Sequence, residues 1–313
     1  MTNEAMLLFL RLNLIGSAAI LLVLALRPFV RRWLGASQCY HLWLTVPLAL
    51  VAAIMPPLEA VGPAGPIEAA DKAANAWLGS GPHQGLVLAA WIAGVLVCTG
   101  LVALRYAWFM GLARSGRAGP AIVGVLTPKL ITPDDFFERF TAEERRLVRA
   151  HERAHMDRDD ARCNALVLAL QCLNWFNPLI HVAAKAMRFD QELACDATVV
   201  MRLPNERRRY AETLLRSHGN FVETPLGCNW SGKGARLLMT RLTSVMSRSP
   251  DVERCDRGDA MLACLWTAVF ILAWSAQPPA RPPGPAVLMV MDSSPAIGDP
   301  SGLPPLRLPG LVR

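Results

Sequence analysis

Four apolar stretches divide the chain, separated by segments of contrasting polarity. The first runs from Met6 to Leu26. As a helix it is long enough to cross ~30 Å of hydrocarbon at about 1.5 Å per residue. Arg11 and Asn13 lie near its start, within reach of an interface. The second runs from Tyr40 to Val61 and is interrupted by Pro47, Pro56 and Pro57. The third, Leu86 to Leu104, is almost purely apolar, and the fourth, Ala260 to Ala276, is bounded by Asp259 and a Pro-rich stretch. A cleaved signal peptide carries its basic residues ahead of the apolar run. Here Arg27, Arg31 and Arg32 follow it, which predicts an uncleaved span. The pattern predicts a mainly α, polytopic membrane protein with four transmembrane helices.

Charges at the span ends alternate. Arg27, Arg31 and Arg32 separate the first two spans, with no acid among them. Glu59, Glu68 and Asp71, with Lys72 alone, separate the second and third, and Arg105, Arg114 and Arg117 follow the third. Lys and Arg near span ends mark the cytoplasmic side. The N-terminus is therefore expected outside, and the polar segment between the third and fourth spans inside. The expected divisions are 1–104, a membrane region with three transmembrane helices; 105–259, a cytoplasmic domain; 260–276, the fourth transmembrane helix; and 277–313, an external tail. That tail holds ten of the 24 Pro, the composition of a disordered or polyproline-like spacer.

Composition agrees with a bilayer partner. Apolar residues make up 53% and charged residues 18%, against about 25% charged in an ordinary soluble domain. The net charge of +7 is carried almost wholly by Arg. It is explained by membrane orientation, so no direct nucleic-acid binding is expected. The eight Cys contain no C-x-x-C pair, which excludes a zinc ribbon and a dithiol redox motif.

The polar segment carries the chemistry. Ala121 to Val125 and Lys129 to Ile131 read as two short strands. Thr141 followed by Glu144 is a capping box and predicts a helix from Ala142 through at least Met156. On that helix lies His151-Glu152-Arg153-Ala154-His155. Residues four apart share a helix face, so both imidazoles can turn a nitrogen to one ion. Zn²⁺ favours such ligands, and Glu152 is placed to take a proton from a water polarised by the ion. A catalytic zinc needs a third protein ligand. Downstream, Glu192 and Asp196 lie four apart in Phe189-Asp190-Gln191-Glu192-Leu193-Ala194-Cys195-Asp196. Glu192 can complete the metal set while Asp196 buttresses a ligand His from behind; the competing reading is a pair of surface carboxylates. Between the motifs, Ala165 to Phe176 is too short for a span. Asn177-Pro178 marks a restart, predicting two helices that pack behind the motif helix at the bilayer surface.

These residues carry a resemblance. His151-Glu152-Arg153-Ala154-His155, Asn174-Trp175-Phe176-Asn177-Pro178-Leu179 and Glu192-Leu193-Ala194-Cys195-Asp196 resemble the BlaR/MecR-type membrane metallopeptidases. The similarity runs from Ala121 to Met246. It includes Tyr210-Ala211-Glu212-Thr213-Leu214-Leu215 and, more loosely, Arg241-Leu242. The resemblance implies a gluzincin-like zinc endopeptidase domain facing the cytoplasm of a bacterial inner membrane, with a small β element. His151, His155 and Glu192 would be ligands and Glu152 the catalytic base. It implies a protein or peptide substrate, such as a transcriptional repressor, cleaved in transmembrane signalling. It also implies self-cleavage, for which the polar segment between Gly232 and Pro250 offers a place. The family's sensors carry an extracellular penicillin-binding domain after the last span. The stretch from Gln277 contains no Lys and so no S-x-x-K nucleophile, and direct sensing by acylation is not expected.

Other residues fit blander roles. His41, His83 and His181 read as edge, loop and packing residues. Tyr210 and His218 are candidates for stabilising an oxyanion. Cys195 is expected to be a buried small residue and not a ligand, and Arg207-Arg208-Arg209 a face toward anionic headgroups. The alternative function is a non-catalytic zinc-binding relay or scaffold protein. A transporter is disfavoured because Arg11 is the only charge inside a predicted span.

Overall fold

A computed structural model describes residues 2–56, 69, 72–74, 76, 83–117, 120–125, 127–217, 235–247 and 252–277. The expectation for the Pro-rich tail, His218 and Cys228 lie outside the described residues.

The first span is one long helix, α1 (Thr2–Trp33), which continues past Leu26 and ends on Arg31 and Arg32, where cations suit the helix dipole. Gly35, at φ 102°, turns the chain into α2 (Ala36–His41), a 3-10 turn (Leu42–Leu44) and α3 (Thr45–Ile54). Met55 is extended, as the residue before a proline is steered away from helix. The second span therefore stops at Ile54, short of Val61. The third is α4 (His83–Arg114), longer than its apolar run. After it come strands β1 (Ala121–Val123) and β2 (Lys129–Ile131), which pair antiparallel with Ala121 opposite Ile131. Then follow α5 (Phe136–Arg139), α6 (Ala142–Asp157), α7 (Asp160–Leu173), α8 (Pro178–Arg202), a 3-10 turn (Pro204–Glu206), α9 (Arg207–Ser217), α10 (Ala235–Met246) and α11 (Val252–Ser275). Among the described residues, Ala5–Trp33, Ala36–Ile54, Gly85–Arg114 and Asp256–Ser275 are long and apolar enough to cross a membrane. The protein is a mainly α, polytopic membrane protein. Both α4 and α11 run unbroken across positions 105 and 260, so the passage from apolar to polar sequence occurs within helices.

Small residues let the spans approach. Ile15 and Ala19 of α1 are buried against Ala49 and Ala53 of α3, the close packing that apolar solvent favours between helices. α8 joins this bundle to the polar segment. Its first half places Ala183 and Met187 in a cluster with Ile20, Val23, Leu42, Trp43 and Leu262. Its second half places Val199 and Val200 among Phe136, Phe140, Leu147, Val148, Tyr210, Leu214 and Val245.

The α7–α8 hairpin lies deeper than the surface position expected of it. Asn177 caps α8, accepting from the Leu179 N–H at 3.0 Å, and its amide donates to Ser17 Oγ of α1 at 3.0 Å. Trp91 of α4 donates to the Leu173 carbonyl at 2.8 Å. The rings of Phe9 and Phe176 lie 6.1 Å apart. A Cβ added at Gly94 would fall 2.1 Å from the Trp175 ring, so glycine there admits the hairpin tip against α4. The tip thus sits beside the apolar length of the first span. There the Leu173 carbonyl is met by α4 and the Asn177 amide by α1, as an apolar environment requires of polar groups.

Candidate metal centre

The motif helix forms as its capping box predicts. The Glu144 N–H donates to Thr141 Oγ1 at 3.3 Å and the Thr141 N–H to Glu144 Oε2 at 2.9 Å. Its apolar face carries Leu147 and Val148 into the core. The same face buries His151, Glu152 and His155, each 1% exposed or less. At the end of α6, Asp159 takes a left-handed conformation with φ 55°, and Asp160 is buried at the start of α7. α8 crosses behind α6 and presents Glu192 and Asp196 to the two rings.

Each ring is oriented by its Nδ1 nitrogen. Tyr210 donates to Asp196 Oδ1 at 2.6 Å and lies 2.8 Å from His151 Nδ1. Its single proton is committed to Asp196, which assigns the N–H of that pair to His151. His155 Nδ1 faces Asp160 Oδ2 at 2.8 Å; a carboxylate oxygen accepts, so His155 carries its proton there too. In the neutral rings, both assignments turn an unprotonated Nε2 inward. The two Nε2 atoms are 3.2 Å apart, and Glu192 lies 3.4 Å from the first and 3.6 Å from the second. Three acceptors this close repel one another unless a proton or a cation lies among them.

The residues fit a metal ion. Ligand atoms of a tetrahedral Zn²⁺ at about 2.0–2.1 Å lie about 3.3 Å from one another, close to the spacings measured here. Glu152 adds a second indication: both its carboxylate oxygens are buried without a hydrogen-bond partner. A buried carboxylate without partners is costly. Asp160 pairs with Arg158, and Glu192 and Asp196 pair with Arg241, whereas the buried Glu152 has no such partner.

Arg241, on α10, was not singled out for any role in the site from sequence. It is among the largest fully buried side chains. It donates to both oxygens of Asp196 at 2.8 and 2.7 Å, and its third nitrogen lies 3.0 Å from Glu192 Oε2. The segment between Gly232 and Pro250 thus contains a helix that closes the site rather than an open polar linker.

The field at the site follows from these contacts. Burial pushes the Glu152 carboxyl up to about 8, with Glu192 adding to the rise against His151 and Arg241. Burial would raise Glu192 and Asp196 as well, but Arg241 outweighs it and holds both below the usual carboxylate range. Burial lowers His155 despite its bond to Asp160. For His151 the hydrogen bonds to Asp196 and Glu192 overcome burial and raise the ring to about 9.

A second group of possible ligands, His155, Asp160 and Cys195, is also close-set. Cys195 Sγ lies 3.1 Å from His155 Nδ1, the nitrogen turned away from Glu192. The thiol is therefore on the far side of the ring.

The sequence model of the BlaR1 peptidase M56 family matches residues 7–118 and 112–245, spanning both the first three apolar helices and the His–Glu site. The chain belongs to the BlaR1 peptidase M56 family. Members are metallopeptidases of membrane signal transduction. Similar proteins include the Regulatory protein BlaR1 of Bacillus licheniformis, 33% identical over 98 residues. The Methicillin resistance mecR1 protein of Staphylococcus aureus is 28% identical over the same length. Each match covers 31% of this chain but only 16% and 17% of those relatives. The chain spans about a sixth of the length of the curated relatives it matches.

Proposed function

We propose that this protein is a membrane-anchored zinc endopeptidase acting in transmembrane signalling, by cleaving a regulator protein or itself. The observation that carries the reading is the convergence of His151 Nε2, His155 Nε2 and Glu192 within 3.6 Å of one another beside the partnerless Glu152 carboxylate. His151, His155 and Glu192 would hold the ion. When bound, Zn²⁺ supplies Lewis acidity at the scissile carbonyl and makes a water acidic enough to lose a proton near neutrality. Glu152 accepts that proton and passes it to the leaving amine nitrogen, acting as base and then acid. Tyr210 and Asp196 keep the His151 ring in its tautomer, and Arg241 keeps Glu192 ionised. The substrate would lie extended beside β1, adding main-chain hydrogen bonds. The site would face the cytoplasm of a bacterial inner membrane, with the N-terminus outside, as the basic residues at the span ends favour.

The test is metal analysis with N-terminal sequencing of fragments, comparing the native chain with Glu152→Gln in native membranes. The variant is expected to keep its metal and to lose cleavage. Full cleavage by Glu152→Gln refutes the base assignment, and a metal-free native protein refutes the reading as a whole.

A further inference from the structure

The residues behind the metal centre are tied to the membrane helices by a closed set of hydrogen bonds. Glu192 is preceded on α8 by two residues whose partners lie in the first two spans. Asp190 is buried, and its Oδ2 accepts from Arg27 Nε of α1 at 2.5 Å and from the Trp43 indole at 2.9 Å. The Gln191 amide donates to the Tyr40 hydroxyl at 3.1 Å. Tyr40, on α2 at the start of the second span, passes the pattern on. Its hydroxyl donates to Asp160 Oδ1 at 2.9 Å, while Asp160 Oδ2 receives His155 Nδ1 and Arg158, each at 2.8 Å. Arg158 also donates to the Gln191 carbonyl at 3.1 Å, and its guanidinium sits 4.8 Å from the Tyr40 ring centroid. The donors run in one direction, Gln191 to Tyr40, Tyr40 to Asp160, and His155 and Arg158 to Asp160.

We propose that Tyr40 is a positioning residue of the metal centre. Its hydroxyl, held by Gln191, fixes the Asp160 carboxylate that fixes the His155 ring, so the second membrane span sets the geometry of a ligand. Tyr40 touches neither the ion nor the substrate and acts only through Asp160. Outer partners of ligand histidines orient the ring and raise its basicity, and losing one typically weakens metal binding about 10–100-fold. A displacement of α2 against α7 and α8 would release the same constraint without unfolding the polar segment. The inference rests on the metallopeptidase reading in one respect, that an ion is bound by His155.

The experiment uses the full chain in lipid nanodiscs: the native protein, Tyr40→Phe, Asp160→Asn and the double variant, with Trp43→Phe as a control from the same span. Zinc affinity is read by chelator competition, and ligand geometry by the visible spectrum of the cobalt-loaded protein. Tyr40→Phe is expected to weaken zinc about tenfold and to change the cobalt bands. The double variant is expected to be no weaker than Asp160→Asn alone, because the effect passes through Asp160. Trp43→Phe removes a bond to Asp190 and is expected to leave the cobalt spectrum unchanged. Native affinity and native cobalt bands in Tyr40→Phe overturn the proposal. So do penalties that add in full in the double variant, or a Trp43→Phe protein that loses zinc as readily as Tyr40→Phe. A native chain that binds neither zinc nor cobalt sinks the metallopeptidase reading itself, an outcome separate from the variants' results.

Discussion

Arg241 is the most exacting test of how the site is held. Replacing it with Met keeps much of the volume and removes the guanidinium shared by Asp196 and Glu192. Asp196 keeps the Tyr210 hydroxyl, but a buried carboxylate loses two charge-assisted bonds. Breaking a buried ion pair from one side costs about 3–5 kcal/mol. At about 2–4 °C per kcal/mol for a domain of this size, the melting temperature should fall by about 6–20 °C. The size of the fall depends on the metal in a defined way. A bound cation compensates Glu192 but not Asp196, so the fall should be larger in chelator than with zinc present. Arg241→Lys should fall between, since an ammonium cannot bridge both carboxylates with the guanidinium's fixed fork. The assay is thermal unfolding of the full chain in detergent micelles, with and without chelator, for the three proteins. A Met variant that melts with the native protein in both conditions, and binds zinc as tightly, would refute the argument that Arg241 offsets the buried acids.

Other consequences are independent of one another. Thr141→Ala removes the side-chain acceptor of the capping box and should cost about 1 kcal/mol, read as a lower melting temperature with unchanged metal content. Gly94→Val places a side chain where the Trp175 ring stands; the α7–α8 hairpin should become accessible to added protease, while native protection would show that the tip does not pack on α4. Cys195→Ala should keep one metal per chain by elemental analysis, because the thiol meets the outward nitrogen of His155; loss of the metal would make Cys195 a ligand.

What the sequence discloses is local. The motif helix, its cap, the Asn177-Pro178 restart and the i, i+4 pairs are all written in neighbouring residues, and the structure forms them within a residue or two. The spans were legible as apolar runs, but their ends were not. Helix α1 continues past Leu26 through Pro28, α4 and α11 also continue into polar sequence, and α3 stops early because of Pro56. The site's partners were harder to see. Asp160 stands in the charged run from Arg158 to Arg162, which reads as a solvated loop; only the left-handed Asp159 turns it inward. Arg241 looks like one more Arg on an amphipathic helix, and its partners lie 45 and 49 positions earlier. Tyr40 reads as an aromatic at a span edge. In each case the deciding contact crosses between helices distant in sequence, which periodicity cannot report.

The proposed ligand set is divided between two helices with different anchorage. His151 and His155 belong to α6, whose buried Leu147 and Val148 lie in the cluster of the polar segment. Glu192 belongs to α8, a helix about 37 Å long at ~1.5 Å per residue, with one half in that cluster and the other among the spans. A packed core admits discrete arrangements more readily than gradual deformation, so a rearrangement around Ala183 and Met187 would carry Glu192 with the rod. The rings would not follow through their own helix. They are tied to that motion through Asp160 and Tyr40 on one side and Asp196 and Tyr210 on the other. Control of the proposed site from the spans would need such a division, because an ion held by residues of one helix would simply travel with it.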